Sequence, residues 1–306
     1  MTTTQASIPR SAPLDINVEL LSIGDELLSG TIANKNAQWI SSKITKAGGL
    51  VKRITTVGDS FIEISDTVKE CIERKPGWLI ISGGLGPTYD DQTLQGLGNA
   101  IGHELILDPR AVEMLRKSYV RNPFTKHYRL NDTRLKMAKI PRGSVPIQNA
   151  VGSAPSVRID VNNDRDTHIG VTRIFCLPGV PKEMKAVFSN SVMPLFKELI
   201  GSYYFVESVF ETIGVSESML APTLSRIVNS YSAHDIYLKT HPKGYRATTY
   251  SKLKTRSKLN IQVVSKGRDK FQVESRYTEI LKTLREEIRR LGGKLYLSRA
   301  QRKISK

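Results

Sequence analysis

The stretch from Ser82 to Thr93, SGGLGPTYDDQT, places two opposed chemistries side by side. Glycine has no Cβ, so a glycine-rich loop can take positive φ and bring backbone N–H groups against an anion. Ser82, Gly83, Gly84 and Gly86, with the hydroxyls of Thr88 and Thr93, are therefore candidates for holding a phosphate. Asp90 and Asp91 at the far end of the loop would repel that phosphate unless a cation lay between them. A divalent ion taking carboxylate oxygens on one side and phosphate oxygens on the other is the usual solution. The competing structural reading is that Asp91 or Thr93 caps the following helix.

Further carboxylates stand at comparable places. Asp25 and Glu26 follow the apolar run VELLSIG, and Asp59 follows RITTVG. If those runs are strands parallel to WLIIS, all of these acids reach one rim. Asp25, Glu26, Asp59, Asp90 and Asp91 then form the candidate metal set. The structural alternative makes Asp59 a cap for a helix over 60–74 and Asp25 the start of a helical turn. Downstream, LPGVPKEM offers Gly179 as a further phosphate contact, Glu183 as a base or outer ligand, and Lys182 as a partner for a leaving phosphate. With Asp59 and Asp91, Glu183 completes the candidate catalytic set. The five histidines, His168 among them, show no metal-ligand spacing. Cys71 and Cys176 lie in apolar stretches and read as buried thiols, which suits a reducing cytoplasm.

The elements that must position these residues are legible in the hydrophobic pattern. NVELLSI, LVKRITTV, WLIIS and TRIFCL read as strands. Ala37, Ile40 and Ile44 share one helical face; so do Ile64, Val68 and Ile72. A helix starts near Thr93, and Asp108-Pro109 reads as an N-cap followed by proline at the first helical position. PKEMKAVFSNSVMPLFKELI reads as a long helix with a break near Pro194. The β-α-β-α order predicts an α/β fold: an open, mostly parallel sheet with helices on both faces, binding its ligand beyond the carboxyl ends of the strands.

Beyond Gly201 the pattern becomes strand, helix, three short strands (one of them over 245–253), a long amphipathic helix and a last short strand. The expected organisation is a disordered tail over 1–15, an α/β domain over 16–200 and a small basic α+β domain over 201–306. The chain has 306 residues, is 39% hydrophobic and 25% charged, and carries a formal net charge of +17. Residues 201–306 hold 21 Lys and Arg against 9 Asp and Glu, so the basic character is concentrated there. With Tyr231, Tyr237, Tyr245 and Tyr250, that region is a candidate for weak, salt-sensitive nucleic-acid contact. No apolar run reaches the ~20 residues of a membrane span.

LLSIGDELLSGTIANKNAQWIS, TVGDS, SGGLGPTYDDQT, NAVGSAPS and LPGVPKEM occur in the order found in CinA-type (competence-damage-inducible) proteins. The chain resembles the amino-terminal half of that family, part of the molybdopterin-binding, MoaB/Mog-like superfamily. The likeness spans about residues 16–200 and continues more weakly through TIGVSESML. It implies a three-layer α/β/α domain, a homo-oligomer, and a site centred on Asp59 and Asp91. It further implies metal-dependent hydrolysis of ADP-ribose to AMP and ribose 5-phosphate, with cobalt or magnesium as the divalent ion and potassium as a further activator. The same loop and aspartates suit a second activity, binding or adenylylation of molybdopterin. A non-enzymatic nucleotide or nucleic-acid binder is the third reading. Full-length bacterial relatives add a carboxy-terminal deamidase segment that this sequence does not show. Tyr89 departs from the family pattern, which often has lysine there.

Overall fold

The computed structural model describes residues 16–121, 129–162, 170–232, 235–243 and 258–297, with the backbone of 303–305. The expected tail over 1–15, the strand expected over 245–253 with Tyr245 and Tyr250, and His168 lie outside the described residues. The chain divides into two compact units, Met1–Thr45 with Gly49–Ile200, and Lys46–Gly48 with Gly201–Lys306. No helix among the described residues is long and apolar enough to cross a membrane.

The first unit is built on a mixed six-stranded sheet. Its strands are β1 (Asn17–Ile23), β2 (Leu50–Val57), β3 (Trp78–Ser82), β6 (Val145–Ile147), β7 (Ser156–Asn162) and β8 (Val171–Leu177). A separate two-stranded ribbon pairs β4 (Leu105–Leu107) with β5 (Lys139–Pro141). The order across the main sheet is β2-β1-β3-β8-β7-β6. The first four are mutually parallel; β7 and β6 extend the sheet antiparallel. All five residues of β3 are buried, the signature of a strand covered on both faces.

One face packs against α3 (Phe61–Glu73), α4 (Thr93–Ile101) and α5 (Pro109–Arg121). Leu21, Leu79, Ile81 and Ile174 meet Ile64, Val68, Leu97 and Leu115 there in one buried cluster. Each such side chain contributes about 1.5–3 kcal/mol by leaving water. The alternate residues face the other way, where Trp78 meets Phe175 (centroids 4.9 Å) and Phe196 (5.0 Å). That face carries α2 (Lys35–Lys46) and a continuous helical stretch, α7 (Pro181–Val187) and α8 (Met193–Ile200). The three layers are those expected of an α/β/α domain.

Local signals account for the helix starts. Ser60 caps α3 by accepting the Glu63 N–H, and Asp108 caps α5 through the N–H groups of Arg110 and Ala111. The break expected near Pro194 is not a break. Residues Phe188–Val192 form one π-helical turn between α7 and α8, so the helix runs on. Proline lacks the N–H of the regular ladder, and a wider turn just before it absorbs that loss. Two helices of four residues complete the unit: α1 (Asp25–Leu28), directly after β1, and α6 (Asp132–Leu135), ahead of β5.

The second unit contains β9 (Tyr204–Ile213), α9 (Glu217–Asn229), β10 (Ile236–Pro242), β11 (Lys258–Gly267), α10 (Lys270–Arg290), β12 (Lys294–Leu297) and β13 (Lys303–Ser305). Its sheet is antiparallel in the order β10-β11-β9-β12, with β13 also on β9. Val273, Tyr277, Ile280, Leu284 and Ile288 of α10 lie at helical spacing and fill its core against Val206, Phe210, Ile261 and Val263.

Candidate functional site

Because β2, β1 and β3 are parallel neighbours, their carboxyl ends deliver Asp59, Asp25 and the glycine loop side by side. Asp25 and Asp59 clasp each other: the Asp25 N–H donates to Asp59 Oδ2 (3.0 Å) and the Asp59 N–H to Asp25 Oδ1 (3.2 Å). Asp59 therefore does not cap α3, the role Ser60 fills; it anchors the first residue of α1. Gly58 lets this happen, since a Cβ there would stand 2.3 Å from Asp25 Oδ1.

The Asp59 carboxyl is held above the usual carboxylate range, by partial burial first and by the charges of Asp25, Glu26 and Asp90, against the pull of the Asp25 amide. A raised acid holds its proton more firmly when folded than when unfolded. Its contribution favours folding below the ordinary carboxylate range and is lost as pH rises through the folded pKa. Asp59→Asn keeps an acceptor for the Asp25 amide and removes the repulsion. The variant is expected to melt about 1–2 °C above the parent near neutral pH, a gain of ~0.5 kcal/mol. The gap should close below pH ~4, where both side chains are neutral. Thermal melts across pH check it.

The glycine loop is shaped from within. Gly83 has φ +111°, and its N–H donates to Leu177 O (3.1 Å). Thr93 is fully buried; its hydroxyl donates to Gly83 O (2.8 Å) and its N–H to Gly84 O (3.2 Å). Gly83 and Thr93 thus maintain the loop's form rather than offer donors to a ligand, and Ser82 is buried in β3. Thr88 donates its N–H (2.9 Å) and hydroxyl to Asp91 Oδ2. Asp91 does not cap α4, whose N-cap, Gln92, makes no side-chain cap bond. Its carboxylate instead lies against Gly86, where a Cβ would come within 2.5 Å of Oδ2. Among the described residues, the N–H groups of Gly84, Leu85 and Gly86 have no acceptor.

Those amides open on a cleft of about 720 Å³. Gly84, Gly86, Gly179, Asp91 and Glu183 line it, so five of the expected residues share one cavity. Ser82, Gly83, Thr88 and Thr93 stand outside its lining, as do Asp25, Glu26, Asp59 and Asp90, which form an acidic rim beside it. Lys182 is exposed and also outside the cleft.

Three contributors are not evident in the sequence. Arg121, at the end of α5, reaches the cleft and donates to the carbonyls of Asn149 and Gly152 (3.3 Å each). Lys136 donates to Thr88 O at the loop. It brings positive charge beside Asp90, on the loop where Tyr89 is 89% exposed.

Asn149, wholly buried, is the third. Its Oδ1 accepts from the N–H of Val151 (3.1 Å) and Gly152 (2.8 Å), and its Nδ2 donates to Ala154 O (3.1 Å) and Glu183 Oε2 (2.7 Å). Glu183 is thereby fixed against Gly152. Losing four buried hydrogen bonds is costly, so Asn149→Ala is expected to lower stability by about 2 kcal/mol. The same variant should free the Glu183 side chain. Denaturant unfolding would measure the first effect and the pH dependence of any turnover the second.

Cys71 and Cys176 are free and buried, and burial pushes both thiols up to about 12, which leaves neither a nucleophile. No three His, Cys, Asp or Glu side chains among the described residues converge as a metal-holding group. The expected five-carboxylate metal set is thus not one cage. Asp25 and Asp59 each commit an oxygen to the other's amide, and Asp91 commits one to Thr88. What remains suits an ion that arrives with substrate phosphates and takes only one or two carboxylates, as magnesium commonly does.

The comparisons with known proteins agree with this fold. The family described as "Probable molybdopterin binding domain" matches residues 19–198. A protein of Pyrococcus furiosus is 40% identical over 230 residues, covering 74% of this chain and 85% of its own length. One from Metallosphaera sedula is 36% identical over 277 residues, covering 90% and 96%. Among solved structures, the CinA protein of Thermoplasma acidophilum, itself of unknown function, is 35% identical with a TM-score of 0.51, covering 58% of this chain and 98% of its own. The chain belongs to the family described as a probable molybdopterin binding domain, and within it to the CinA type.

Proposed function

We propose that the cleft binds a nucleotide whose two phosphates join two sugars, ADP-ribose, and hydrolyses it to AMP and ribose 5-phosphate. The observation that carries this reading is the meeting, in one cavity, of unengaged glycine-loop amides with the carboxylates of Asp91 and Glu183 and the guanidinium of Arg121. The amides of Gly84, Leu85 and Gly86 bind one phosphate, and Arg121 offsets its charge. Glu183, held through one oxygen by Asn149, accepts a proton from water with the other. The water oxygen attacks one phosphorus. The bond from that phosphorus to the bridging oxygen breaks, and the bridging oxygen leaves with the electron pair on the second phosphate. A divalent ion carried in on the diphosphate would supply Lewis-acid stabilisation of the charge on the phosphoryl oxygens.

The family description favours a second reading, a pterin phosphate as ligand. One experiment separates the two. The purified protein is incubated with ADP-ribose and a panel of dinucleotides, with cobalt, magnesium or manganese and with chelator, and products are resolved by chromatography. AMP and ribose 5-phosphate in equal amounts support hydrolysis. Intact ADP-ribose under every condition, together with a fluorescent pterin released from the protein on denaturation, would overturn it.

A further inference from the structure

The second unit has a cleft of its own, of about 510 Å³, where the flank of α10 meets β9 and β12. Phe210, Tyr277 and Leu281 give it an apolar base, and the Tyr277 hydroxyl donates to Ser208 Oγ (2.6 Å). Lys282, Arg285 and Arg289 line it from α10, all three exposed. Three and four residues apart, they are neighbours on one side of the helix, where like charges repel and weaken it. Other arginines of α10 are paired: Arg276 with Asp235 (3.0 Å) and Arg290 with Glu287 (2.6 Å). Lys282, Arg285 and Arg289 have no ion-pair partner within 4.0 Å among the described residues. Three cations against the one carboxylate of Glu286 leave the cleft an excess of two positive charges. The favourable field at a helix C-terminus reaches only the last turn, so it accounts for Arg289 and not for Lys282 or Arg285. Traced back along the same side, the row continues through Thr278 and Ser275 to Phe271, which is 80% exposed. At 3.6 residues per turn these six positions fall within about 80° of arc and span about 27 Å of helix.

We propose that this row and its cleft bind a single strand of nucleic acid, with backbone phosphates on Lys282, Arg285 and Arg289 and an unpaired base on Phe271. Cations in a line give sequence-independent affinity for a string of phosphates. The exposed ring adds a surface on which an unstacked base can lie, and a duplex offers none. The sheet face turned away from α10 is less suited to the same partner. Its Lys243 and Lys258 are already paired with Glu211 of β9 (3.2 and 3.4 Å). An anionic membrane surface is the poorer match for the row. A helix that lies in a membrane needs a whole apolar face, and that of α10 fills the core of its own unit, leaving Phe271 as its one exposed large apolar residue. The proposal is independent of the nucleotide chemistry of the first unit.

The test is fluorescence anisotropy of the intact protein with a labelled mixed-sequence RNA about 20 nucleotides long, its DNA counterpart and the matching duplex, across salt concentrations. Three phosphate contacts predict that log K falls with log salt at a slope of about −2. Lys282→Ala/Arg285→Ala should weaken the single strand at least ~10-fold near 0.1 M salt and flatten the slope by about 1.4. Alanine keeps the helix intact. Lys239→Ala/Lys294→Ala removes the same charge from exposed positions on β10 and β12, and should weaken binding less than ~3-fold. Phe271→Ala should weaken the single strand about 5-fold or more and leave the slope unchanged. Equal losses from the two double variants would reduce the effect to net charge and overturn the site. Duplex bound as tightly as single strand, with no response to Phe271→Ala, would overturn the single-strand assignment. Failure to bind either oligonucleotide at low salt would overturn the proposal outright, and co-sedimentation with phosphatidylserine vesicles would then assign the row to a lipid surface.

Discussion

Gly83→Ala is expected to lower the stability of the first unit by about 3–4 kcal/mol, and its melting point by about 6–16 °C. Two costs combine. At φ +111° an L-residue with a Cβ is strained whatever the surroundings. The added Cβ would also stand 2.2 Å from the carbonyl oxygen of Ile23, far inside contact distance. That oxygen belongs to β1, a central strand, and the Gly83 amide is itself tied to Leu177 at the end of β8. Neither neighbour is a flexible side chain that can swing aside, so relief requires moving the middle of the sheet. The contrast is Gly102→Ala, at the C-cap of α4. There φ is +70° but nothing lies within 4 Å of the added atom. Conformational strain alone should cost about 1 kcal/mol. Calorimetric melts of the two variants side by side decide the matter; a Gly83→Ala protein as stable as Gly102→Ala would show that the loop is not pinned between three strands.

Much of this geometry is legible in the amino-acid sequence, for a definite reason. The glycine loop follows WLIIS, an unbroken apolar run that suits only a central strand, and all five of its residues are buried. A loop at the carboxyl end of such a strand points at the crevice. The neighbouring acids are legible on the same ground: Asp25 and Asp59 each follow a run that forms a parallel neighbour. The division of work among side chains at that rim is not written locally. The reciprocal bonds of Asp25 and Asp59 depend on the register of β1 on β2, which includes a shift between Val18 and Glu19. Thr93 reads as a ligand donor because its hydroxyl follows the loop, and burial turns it inward. Lys136 and Asn149 come from a stretch of short elements with no strong period, and Arg121 is the last residue of α5, just ahead of it. Long-range packing brings them to the site, and an arginine, a lysine or an asparagine on such a stretch reads as surface. Asn149 carries one local signal, its place in NAVGSAPS, where a polar residue sits among small ones in a tight turn.

Asp91→Asn is expected to reduce ADP-ribose turnover at least 100-fold while the melting point stays within about 2 °C of the parent, an effect of about 2.7 kcal/mol or more on the barrier. The hydrogen-bond pattern makes the outcome specific. Oδ2 receives two donors, the N–H and hydroxyl of Thr88, and lies against Gly86. An asparagine must present its single oxygen to those donors, because its NH2 group would face them as a third donor. The turn is therefore retained, and the NH2 takes the place of the remaining carboxylate oxygen in a residue that lines the cleft. An acceptor bearing negative charge is replaced there by a neutral donor. On the proposed mechanism this removes the anionic acceptor that would serve a cation or a water proton beside the diphosphate. Bound phosphate at the same moment loses a repelling neighbour, so AMP should bind as tightly or more tightly than to the parent. Slower turnover with undiminished product affinity separates this role from a structural one, which would weaken both. Glu183→Gln provides the comparison on the opposite wall: it keeps an acceptor for Asn149 Nδ2 through its own oxygen, so it too should fold while turning over slowly. If Asp91→Asn turned over at the parent's rate, the carboxylate would be no more than a brace for Thr88, and the site's chemistry would have to rest on Glu183 and the loop amides alone.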